Sequence, residues 1–341
     1  MKRLFFGFFA CIFLFGYGLL AADRAACADI ELKFAHFMSP MHIQHQKSFE
    51  PFAKRVQELT GGKVAVKIYP GGALGAPNQL PDAVKTGITD IAFIIPSYST
   101  GRFERISALD LPFFFNSAVH ATRTIYDMAD QYFAEDFKDY KVLWFYSCGP
   151  GQFQSVSKPM HTADAFKGMK MRAPSAYMSK AFKLLGSTPV GMPISELTVA
   201  LEKGVIDGML TPFSAVKDFR LFDLVKHITE ADVYISPMAV VMNKGKFASL
   251  PDYAKQALEK ASGKEWGIHA AQVYDDHDVD TAKEIRALGK TTIFKMPDAE
   301  RKNCIARLRS MENDWAAEIS KKGIPAQEIL DTAHKFADKN R

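Results

Sequence analysis

Residues 164–174 read DAFKGMKMRAP, which predicts a short acidic helix followed by a strand. Gly168 is expected to end the helix, because glycine readily takes the left-handed conformation found at helix ends. The strand would carry Arg172 near its far end and stop at Pro174. The far ends of parallel strands in an open α/β sheet face the ligand crevice. Arg172 is therefore a candidate to bind a planar carboxylate through two hydrogen bonds, with pairing to a surface acid as the alternative.

The composition of the whole chain is that of a globular protein of one large or two medium domains. Of its 341 residues, 48% are apolar and 24% are charged. The formal net charge is +5, and no run of Lys and Arg is long enough to mark a nucleic-acid site. A nucleic-acid partner is therefore not expected.

Residues 1–28 have the pattern of a secretory signal peptide. A basic start precedes an apolar run rich in phenylalanine, and Ala-Cys-Ala follows at residues 26–28. Cleavage is predicted before Asp29, which would export the mature protein to the periplasm or the exterior. A membrane anchor and a lipid-modified Cys27 are the alternatives.

Cleavage would leave two cysteines in the mature chain, Cys148 and Cys304. A disulfide is permitted outside the cytoplasm, but two buried free thiols are the expected state. No cysteine pair has the spacing of a zinc site.

The early part of the chain alternates between strand and helix patterns. Strands are predicted at 30–36, 64–68 and 91–95, and helices at 39–60 and 80–86. Strands that alternate with helices form βαβ units, so the predicted fold class is α/β with parallel sheets.

Residues 83–90, AVKTGITD, are similar to residues 200–207, ALEKGVID. Each segment reads as a helix end, a glycine stop, two linking residues and an aspartate that opens a strand. The repeat predicts the same joint in two similar lobes, although a match over so short a segment can also arise by chance.

The chain is predicted to cross between lobes at residues 149–151, Gly-Pro-Gly, and to return along a strand-like segment at 233–242. A helix over about residues 250–288 would be long enough to brace both lobes, with residues 275–278 on its solvated face. The predicted boundaries are 29–149 plus about 238–277 for lobe I, and 150–237 plus about 278–341 for lobe II.

Several short motifs follow one another in a distinctive order along the mature chain. They are TGGKV at 60–64, YPGGALG at 69–75, GITD at 87–90, LDLPF at 109–113, FKGMKMRAP at 166–174, LGSTPV at 185–190, GVIDG at 204–208 and VMNK at 241–244. Together they resemble the DctP-like family, the periplasmic solute-binding proteins of TRAP transporters. The resemblance implies two hinged α/β lobes that close on a small organic acid in the manner of a Venus flytrap. It also implies delivery of that acid to a membrane permease driven by an ion gradient.

The resemblance also implies which residues contact the ligand. The family's arginine matches Arg172, and a position often filled by asparagine matches Thr211. A second arginine common in the family is absent, and Gln152 or Gln154 stands in its region. A monocarboxylate is therefore expected in preference to a dicarboxylate. Asn243, in the last motif, is a further candidate.

Aromatic and imidazole side chains near predicted strand ends complete the candidate site. Tyr98 follows one strand, His36 ends another, Tyr177 lies one turn into the helix after the arginine strand, and Phe213 follows a later strand. A solvated turn for Tyr98, packing on the sheet for Tyr177 and core packing for Phe213 are the alternatives. The aromatic residues favour an aromatic or branched monocarboxylate as the ligand.

His42 and His45 lie three positions apart on a predicted helix and could share one face with His36 nearby. No acidic ligand accompanies these histidines at a recognisable spacing. Helix polarity and hydrogen bonding in the pocket are therefore the preferred interpretation, and no metal site is predicted.

Catalytic motifs are absent from the sequence. It has no His-Glu-x-x-His, no Gly-x-Ser-x-Gly, no phosphate-binding loop and no dinucleotide fingerprint. An enzyme is therefore not predicted, and no cofactor is expected. Two other functions stay open, the presentation of a ligand to a membrane sensor kinase and the activity of an exported hydrolase or lyase.

Overall fold

The computed structural model of the chain describes residues 28–341. The predicted signal peptide therefore lies outside the described residues, apart from Ala28. Within the described range, no helix combines the length and the apolarity needed to cross a bilayer.

The described residues contain eleven strands in two separate sheets. The strands are β1 Ile30–Ala35, β2 Val64–Tyr69, β3 Ile91–Ile94, β4 Tyr140–Ser147, β5 Gln152–Ser155, β6 Lys170–Ala173, β7 Thr188–Gly191, β8 Gly208–Thr211, β9 His227–Glu230, β10 Pro237–Asn243 and β11 Thr292–Lys295. The first sheet has the order β2-β1-β3-β10-β4 and the second the order β11-β9-β5-β8-β6-β7. β10 is antiparallel to β3 and β4, and β5 is antiparallel to β8 and β9, whereas the other pairs are parallel.

Twelve α-helices connect and flank these strands in residues 28–341. They are α1 Glu50–Leu59, α2 Leu80–Lys85, α3 Ala118–Met128, α4 Ala176–Leu184, α5 Leu197–Glu202, α6 Ser214–Asp218, α7 Lys244–Ser249, α8 Asp252–Ala261, α9 Gly263–Leu288, α10 Asp298–Leu308, α11 Ser310–Ser320 and α12 Ala326–Asn340. The predicted α/β class is confirmed, because helices alternate with strands through most of the chain.

The first long helix begins later than the predicted start at residue 39. Residues 40–42 form turns and bends, and the Nδ1 atom of His42 accepts a hydrogen bond from the Gln44 N–H at 3.2 Å. This side-chain acceptor starts the helix after His42. A π-helical segment, His45–Phe49, then leads into α1.

The repeated joint predicted from the sequence is present in both sheets. The Asp90 carboxylate accepts a hydrogen bond from the Lys33 N–H of β1 at 2.8 Å, and the Asp207 carboxylate accepts one from the Lys170 N–H of β6 at 2.8 Å. The glycine of each joint has a positive φ. Each aspartate thus ties the strand that follows it to its parallel neighbour, which fixes β3 beside β1 and β8 beside β6.

The chain passes between the two sheets in two adjacent segments. Residues 148–151 join β4 to β5, and residues 231–236 join β9 to β10. The Gly151 N–H donates to the Tyr234 carbonyl at 2.7 Å, and the Val233 N–H donates to the Gly151 carbonyl at 3.0 Å. The part of the chain around the first sheet is here called the first lobe, and the part around the second sheet is called the second lobe.

The predicted continuous helix over residues 250–288 is wrong, because the structure has two helices there. Ser262 is extended, with φ −124° and ψ −154°, and Gly263 has a φ of +84°. Glycine takes this positive φ without steric cost, so the pair ends α8 and redirects the chain into α9. The 26 residues of α9 still extend about 39 Å.

α9 contacts both lobes through two aspartates near its middle. The Asp275 carboxylate accepts hydrogen bonds from the N–H groups of Ala118 (2.7 Å) and Val119 (3.0 Å) at the start of α3. The Asp278 carboxylate accepts one from the Ser214 N–H (2.6 Å) at the start of α6. Helix N-termini favour negative charge and leave N–H groups unpaired. The predicted solvated face of this helix is therefore wrong at both positions.

The last helix returns to the first lobe, whereas the sequence prediction placed everything after about residue 278 in the second. The Tyr132 hydroxyl donates to the Glu328 carboxylate of α12 at 2.7 Å. The apolar face of α12 is buried, including Ile329, Leu330 and Ala333. β11 does lie in the second sheet, so the tail connects both lobes.

The core of the first lobe is aromatic. Phe34, Phe49, Phe52 and Trp144 are fully buried, and their ring centroids lie 4.8 to 6.4 Å apart in tilted and edge-on pairs. A separate cluster of buried residues, mostly aliphatic, packs between the second sheet and α9. Each lobe therefore has its own packed support for the strand ends that face the other lobe.

Candidate binding site between the lobes

A cavity lies between the two lobes. Strand ends and loops from both sheets surround it. Its walls are formed by Phe37, Met38, His42, Phe93, Ile95, Tyr98, Cys148 and Met238 from the first lobe, by Arg172, Ile194, Leu210, Thr211, Pro212, Ser214, Ala215, Asp218 and Phe219 from the second, by Tyr234 and Ser236 from the crossing segment and by Tyr274 from α9.

Arg172 lies in β6, one residue from its end, and only 2% of the residue is exposed. Its guanidinium donates to the carbonyls of Met192 (Nε, 3.0 Å) and Leu210 (Nη1, 3.4 Å) and to the Tyr98 hydroxyl (Nη2, 3.1 Å). A guanidinium has five N–H groups, so one remains on each terminal nitrogen. No Asp or Glu of residues 28–341 pairs with Arg172. Each terminal nitrogen of the guanidinium therefore keeps one N–H group without a hydrogen-bond partner among the described residues.

Tyr98 contributes a first-lobe hydroxyl to this second-lobe arginine. It ends a short 3₁₀ turn, Pro96–Tyr98, that follows β3. The hydroxyl oxygen accepts hydrogen bonds from Arg172 Nη2 and from the Ile194 N–H, each at 3.1 Å. One side chain thus joins the two walls of the cavity where the guanidinium lies.

Thr211, the position selected by the family resemblance, ends β8 and lines the cavity. Its hydroxyl is buried and has no hydrogen-bond partner among the described residues. The Gln154 amide lies behind this wall and donates to the carbonyls of Thr211 (3.0 Å) and Pro212 (3.2 Å). Gln154 therefore positions the wall from behind and does not line the cavity.

Two buried tyrosines and a cysteine form part of the remaining wall. Burial raises the pKa of the Tyr234 and Tyr274 hydroxyls well above the ordinary tyrosine value, so both stay neutral. Burial also raises the pKa of the Cys148 thiol to about 12. Cys148 and Cys304 are both buried and free, in agreement with the sequence prediction.

A polar group made of His42, Asp218 and His277 joins three elements at the cavity. His42 Nε2 lies 3.4 Å from Asp218 Oδ2, and His277 Nε2 lies 3.1 Å from Asp218 Oδ1. Burial lowers the pKa of His42 to about 4, so this imidazole is neutral at pH 7. His42 belongs to the first lobe, Asp218 to α6 and His277 to α9.

His36, His42 and His45 do not share one site, and His36 lies outside the cavity wall where the sequence analysis placed it. His36 Nε2 and His45 Nδ1 are 2.9 Å apart in a buried pair behind the cavity, and burial lowers the pKa of His36 to about 3. His42 instead lies beside Asp218, since residue 42 belongs to the bend that precedes the helix. In residues 28–341 there is no cluster of three or more His, Cys, Asp or Glu side chains arranged to hold a metal ion.

Four other predicted site residues lie outside the cavity wall. The Asn243 side chain accepts from the Lys246 N–H at 2.8 Å, as the N-cap of α7, and donates to the Val84 carbonyl at 2.8 Å. The Gln152 side chain accepts from the Ala231 N–H at 2.8 Å and so ties the two crossing segments together. Phe213 packs in the second-lobe core, and Tyr177 lines a neighbouring cleft.

The sequence analysis did not identify most of the apolar residues of the cavity wall, nor its aspartate, Asp218. Phe37 lies two residues after β1 and Ile95 one residue after β3, and this position beyond a parallel strand is the signal that could have found them. Asp218 carries no such signal, because it ends a short helix whose place is set by packing against α9.

Comparison with known proteins agrees with this geometry. The family model for bacterial extracellular solute-binding protein, family 7 (DctP) matches residues 34–318. The 2,3-diketo-L-gulonate-binding periplasmic protein YiaO of Escherichia coli is 28% identical over 292 residues, which cover 85% of this chain and 88% of YiaO.

Solved structures with the same architecture include two with aromatic acids bound. A TRAP solute-binding protein of Rhodoferax ferrireducens, in complex with copurified benzoate, is 30% identical with a TM-score of 0.87, over 91% of this chain and 98% of that one. A marine metagenome TRAP solute-binding protein with 3-hydroxybenzoate is 32% identical with a TM-score of 0.88, over 92% and 99%. This chain therefore belongs to bacterial extracellular solute-binding protein family 7 and is a periplasmic solute-binding protein of the TRAP type.

Proposed function

We propose that this protein binds an aromatic monocarboxylate and delivers it unchanged to a TRAP permease in the membrane. The observation that carries the proposal is Arg172, a buried guanidinium with one free N–H on each terminal nitrogen, facing a cavity with aromatic walls. A planar carboxylate accepts two parallel hydrogen bonds from such a fork, and burial strengthens the ion pair.

A single carboxylate is favoured because Arg172 is the one Lys or Arg among the described residues that line the cavity. Apart from Arg172, the wall would offer a second ligand carboxylate only neutral polar groups, apolar side chains and the carboxylate of Asp218. Burial of an unpaired charge is costly, and two like charges in one cavity repel each other. Gln152 and Gln154 do not replace a second cation, because both side chains are already engaged. Gln152 donates to the Asp232 carboxylate and accepts from the Ala231 N–H, and Gln154 donates to the Thr211 and Pro212 carbonyls.

An aromatic ligand body is favoured by the shape of the wall beyond Arg172. Phe37 and Phe93 form a tilted pair with centroids 5.4 Å apart, and Tyr234 and Tyr274 stand near them. Such rings bury a flat apolar ligand and interact with it in offset or edge-on geometry. The two solved relatives that bind benzoate and 3-hydroxybenzoate support this choice.

We also infer that the chain functions in the periplasm after cleavage before Asp29, and that the ligand is released without chemical change. Both inferences are supported by membership in a family of extracytoplasmic solute-binding proteins. Recovery of the bound acid by NMR after prolonged incubation tests the second, since any product would contradict it.

The experiment that tests the ligand class is calorimetric titration of the mature protein after unfolding, washing and refolding. Benzoate is compared with benzamide, which lacks the charge, and with succinate, which carries a second carboxylate. Benzoate should bind, and at 100 times its Kd it should add about 2.7 kcal/mol of stability in a parallel thermal melt. Binding of benzamide as tight as that of benzoate, or a preference for succinate, would contradict the proposal.

A further inference from the structure

Asp218 is a hydrogen-bond acceptor in the wall of the ligand cavity that the carboxylate-binding role of Arg172 does not use. Its side chain is 4% exposed. Oδ1 lies 3.1 Å from His277 Nε2, whereas Oδ2 has no hydrogen-bond partner among the described residues. The nearest donor candidate is His42 Nε2, at 3.4 Å. A buried acceptor without a partner costs free energy, and a donor that reaches it recovers that cost.

The charges around Asp218 make a ligand donor the fitting partner. No Lys or Arg of residues 28–341 pairs with this carboxylate, whose ion-pair neighbours are His42 and His277. A ligand carboxylate would be repelled there. A hydroxyl group, in contrast, donates a hydrogen bond to a carboxylate in a strong, charge-assisted interaction.

The position of Asp218 sets where the ligand must carry that hydroxyl. β8 ends at Thr211, close to Arg172, and α6 then runs along the wall from Ser214 to Asp218. Arg172 and Asp218 line the same cavity, so the ring of an acid held at Arg172 can extend toward Asp218.

We propose that Asp218 accepts a hydrogen bond from a ring hydroxyl, and that the protein therefore selects hydroxylated aromatic monocarboxylates over unsubstituted ones. The inference rests on the proposed function, because the carboxylate of the same ligand is held by Arg172. Phe219 and Tyr274, whose rings pack edge-on against His42, flank the site and exclude water from the hydrogen bond.

The test is calorimetric titration of refolded mature protein with benzoate, 3-hydroxybenzoate, 4-hydroxybenzoate and their methoxy analogues. A methoxy group has similar polarity but cannot donate. At least one hydroxybenzoate should bind about tenfold or more tightly than benzoate, and its methoxy analogue should lose that gain. This comparison uses the unaltered chain and does not depend on the folding of a variant.

The Asp218→Asn variant should reduce the preference for hydroxybenzoate over benzoate, measured as the ratio of the two affinities, to less than about threefold. Asp223→Asn is the matched control, because Asp223 is exposed and pairs with Lys290. It should keep the wild-type preference.

Three results would overturn the inference. Equal binding of benzoate and both hydroxybenzoates excludes a hydroxyl site. A uniform loss of affinity for all acids in Asp218→Asn assigns Asp218 to holding the lobes together instead. If none of the acids binds to wild type, both the proposed function and this inference are contradicted. If benzoate binds but the hydroxybenzoates bind no more tightly, only the inference about Asp218 is contradicted.

Discussion

The Tyr98 hydroxyl accepts a hydrogen bond from the Arg172 guanidinium at 3.1 Å, although the two residues belong to opposite lobes. The same hydroxyl accepts from the Ile194 N–H of the second lobe. The orientation of the arginine therefore depends on the position of the first lobe. We therefore expect ligand binding at Arg172 and approach of the lobes to be coupled through this one oxygen, since both require the guanidinium to hold a single orientation.

Replacement of Tyr98 by Phe should weaken binding of benzoate about tenfold, mainly through faster dissociation. The variant removes an acceptor of two hydrogen bonds, one of them from a charged donor, and leaves both donors without a partner. Stopped-flow displacement measures the dissociation rate. Tyr177→Phe is the control, because Tyr177 lies outside the cavity wall, and equal rates in the two variants would count against the coupling.

Replacement of Arg172 by Lys should weaken benzoate binding on the order of 100-fold. Lysine keeps the charge but loses the planar fork that supplies two parallel donors. Calorimetric titration measures the affinity, and circular dichroism checks the fold. Arg286→Lys is the matched control, because this exposed arginine pairs with Glu230 on the surface. A Kd within threefold of the wild-type value would show that Arg172 does not hold the carboxylate.

The free energy of unfolding of Asp278→Asn, relative to that of wild type, should increase as the pH rises. Burial raises the pKa of Asp278 to about 7, above its ordinary value of 3.8. The folded state then binds this proton more tightly than the unfolded chain, so the contribution of Asp278 to stability falls as the pH rises from about 4 to 7. Asparagine still accepts from the Ser214 N–H but carries no charge.

Urea unfolding of both proteins at pH 4.5 and pH 8 measures this difference. The free energy of unfolding of the variant, relative to wild type, should be higher at pH 8 than at pH 4.5 by an amount on the order of 3 kcal/mol. A difference that does not depend on pH would mean that Asp278 is ionised in the folded state throughout.

His36→Phe should make the protein less sensitive to acid. Burial lowers the pKa of His36 from 6.5 to about 3. Wild-type stability is therefore present above pH 6.5 and lost as the pH falls toward 3, because the unfolded chain binds the proton first. Between pH 7 and pH 4.5, the free energy of unfolding measured in urea should fall by about 2 kcal/mol less in the variant than in wild type. His269→Phe, at an exposed position, should retain the wild-type loss, and an unchanged loss in His36→Phe would contradict the assignment.

Gly263→Ala should destabilise the fold by about 1 kcal/mol. The φ of +84° is unfavourable for alanine, although no atom lies within 4 Å of the added Cβ. Gly191→Ala is the control, because it has equally open surroundings and no positive φ. Urea unfolding measures both. Equal stability of the two variants would show that the break between α8 and α9 carries no backbone strain.

Local signals were sufficient for β1, β2, β3 and β6 and for the arginine in β6. Gly168 and Pro174 bracket β6 and place Arg172 near its end, and the two Asp-opened joints follow from glycine and aspartate chemistry within eight residues. The same kind of signal failed at Ser262, where a helical pattern of side chains continues across a backbone break made by the following glycine. Side-chain periodicity indicates which face of a helix is apolar, but it does not indicate where the helix axis changes direction.

The sequence by itself determined the α/β alternation, the repeated joint and the arginine at a strand end, because each depends on residues close in the chain. The tertiary structure decided which side chains share the cavity. Tyr98 and Arg172 are 74 positions apart, and Asp218 meets His42 and His277 from two other elements. Asn243 and Gln152, chosen by motif and position, bond to backbone instead. Such contacts depend on how whole lobes pack against each other and against α9, which no local pattern encodes.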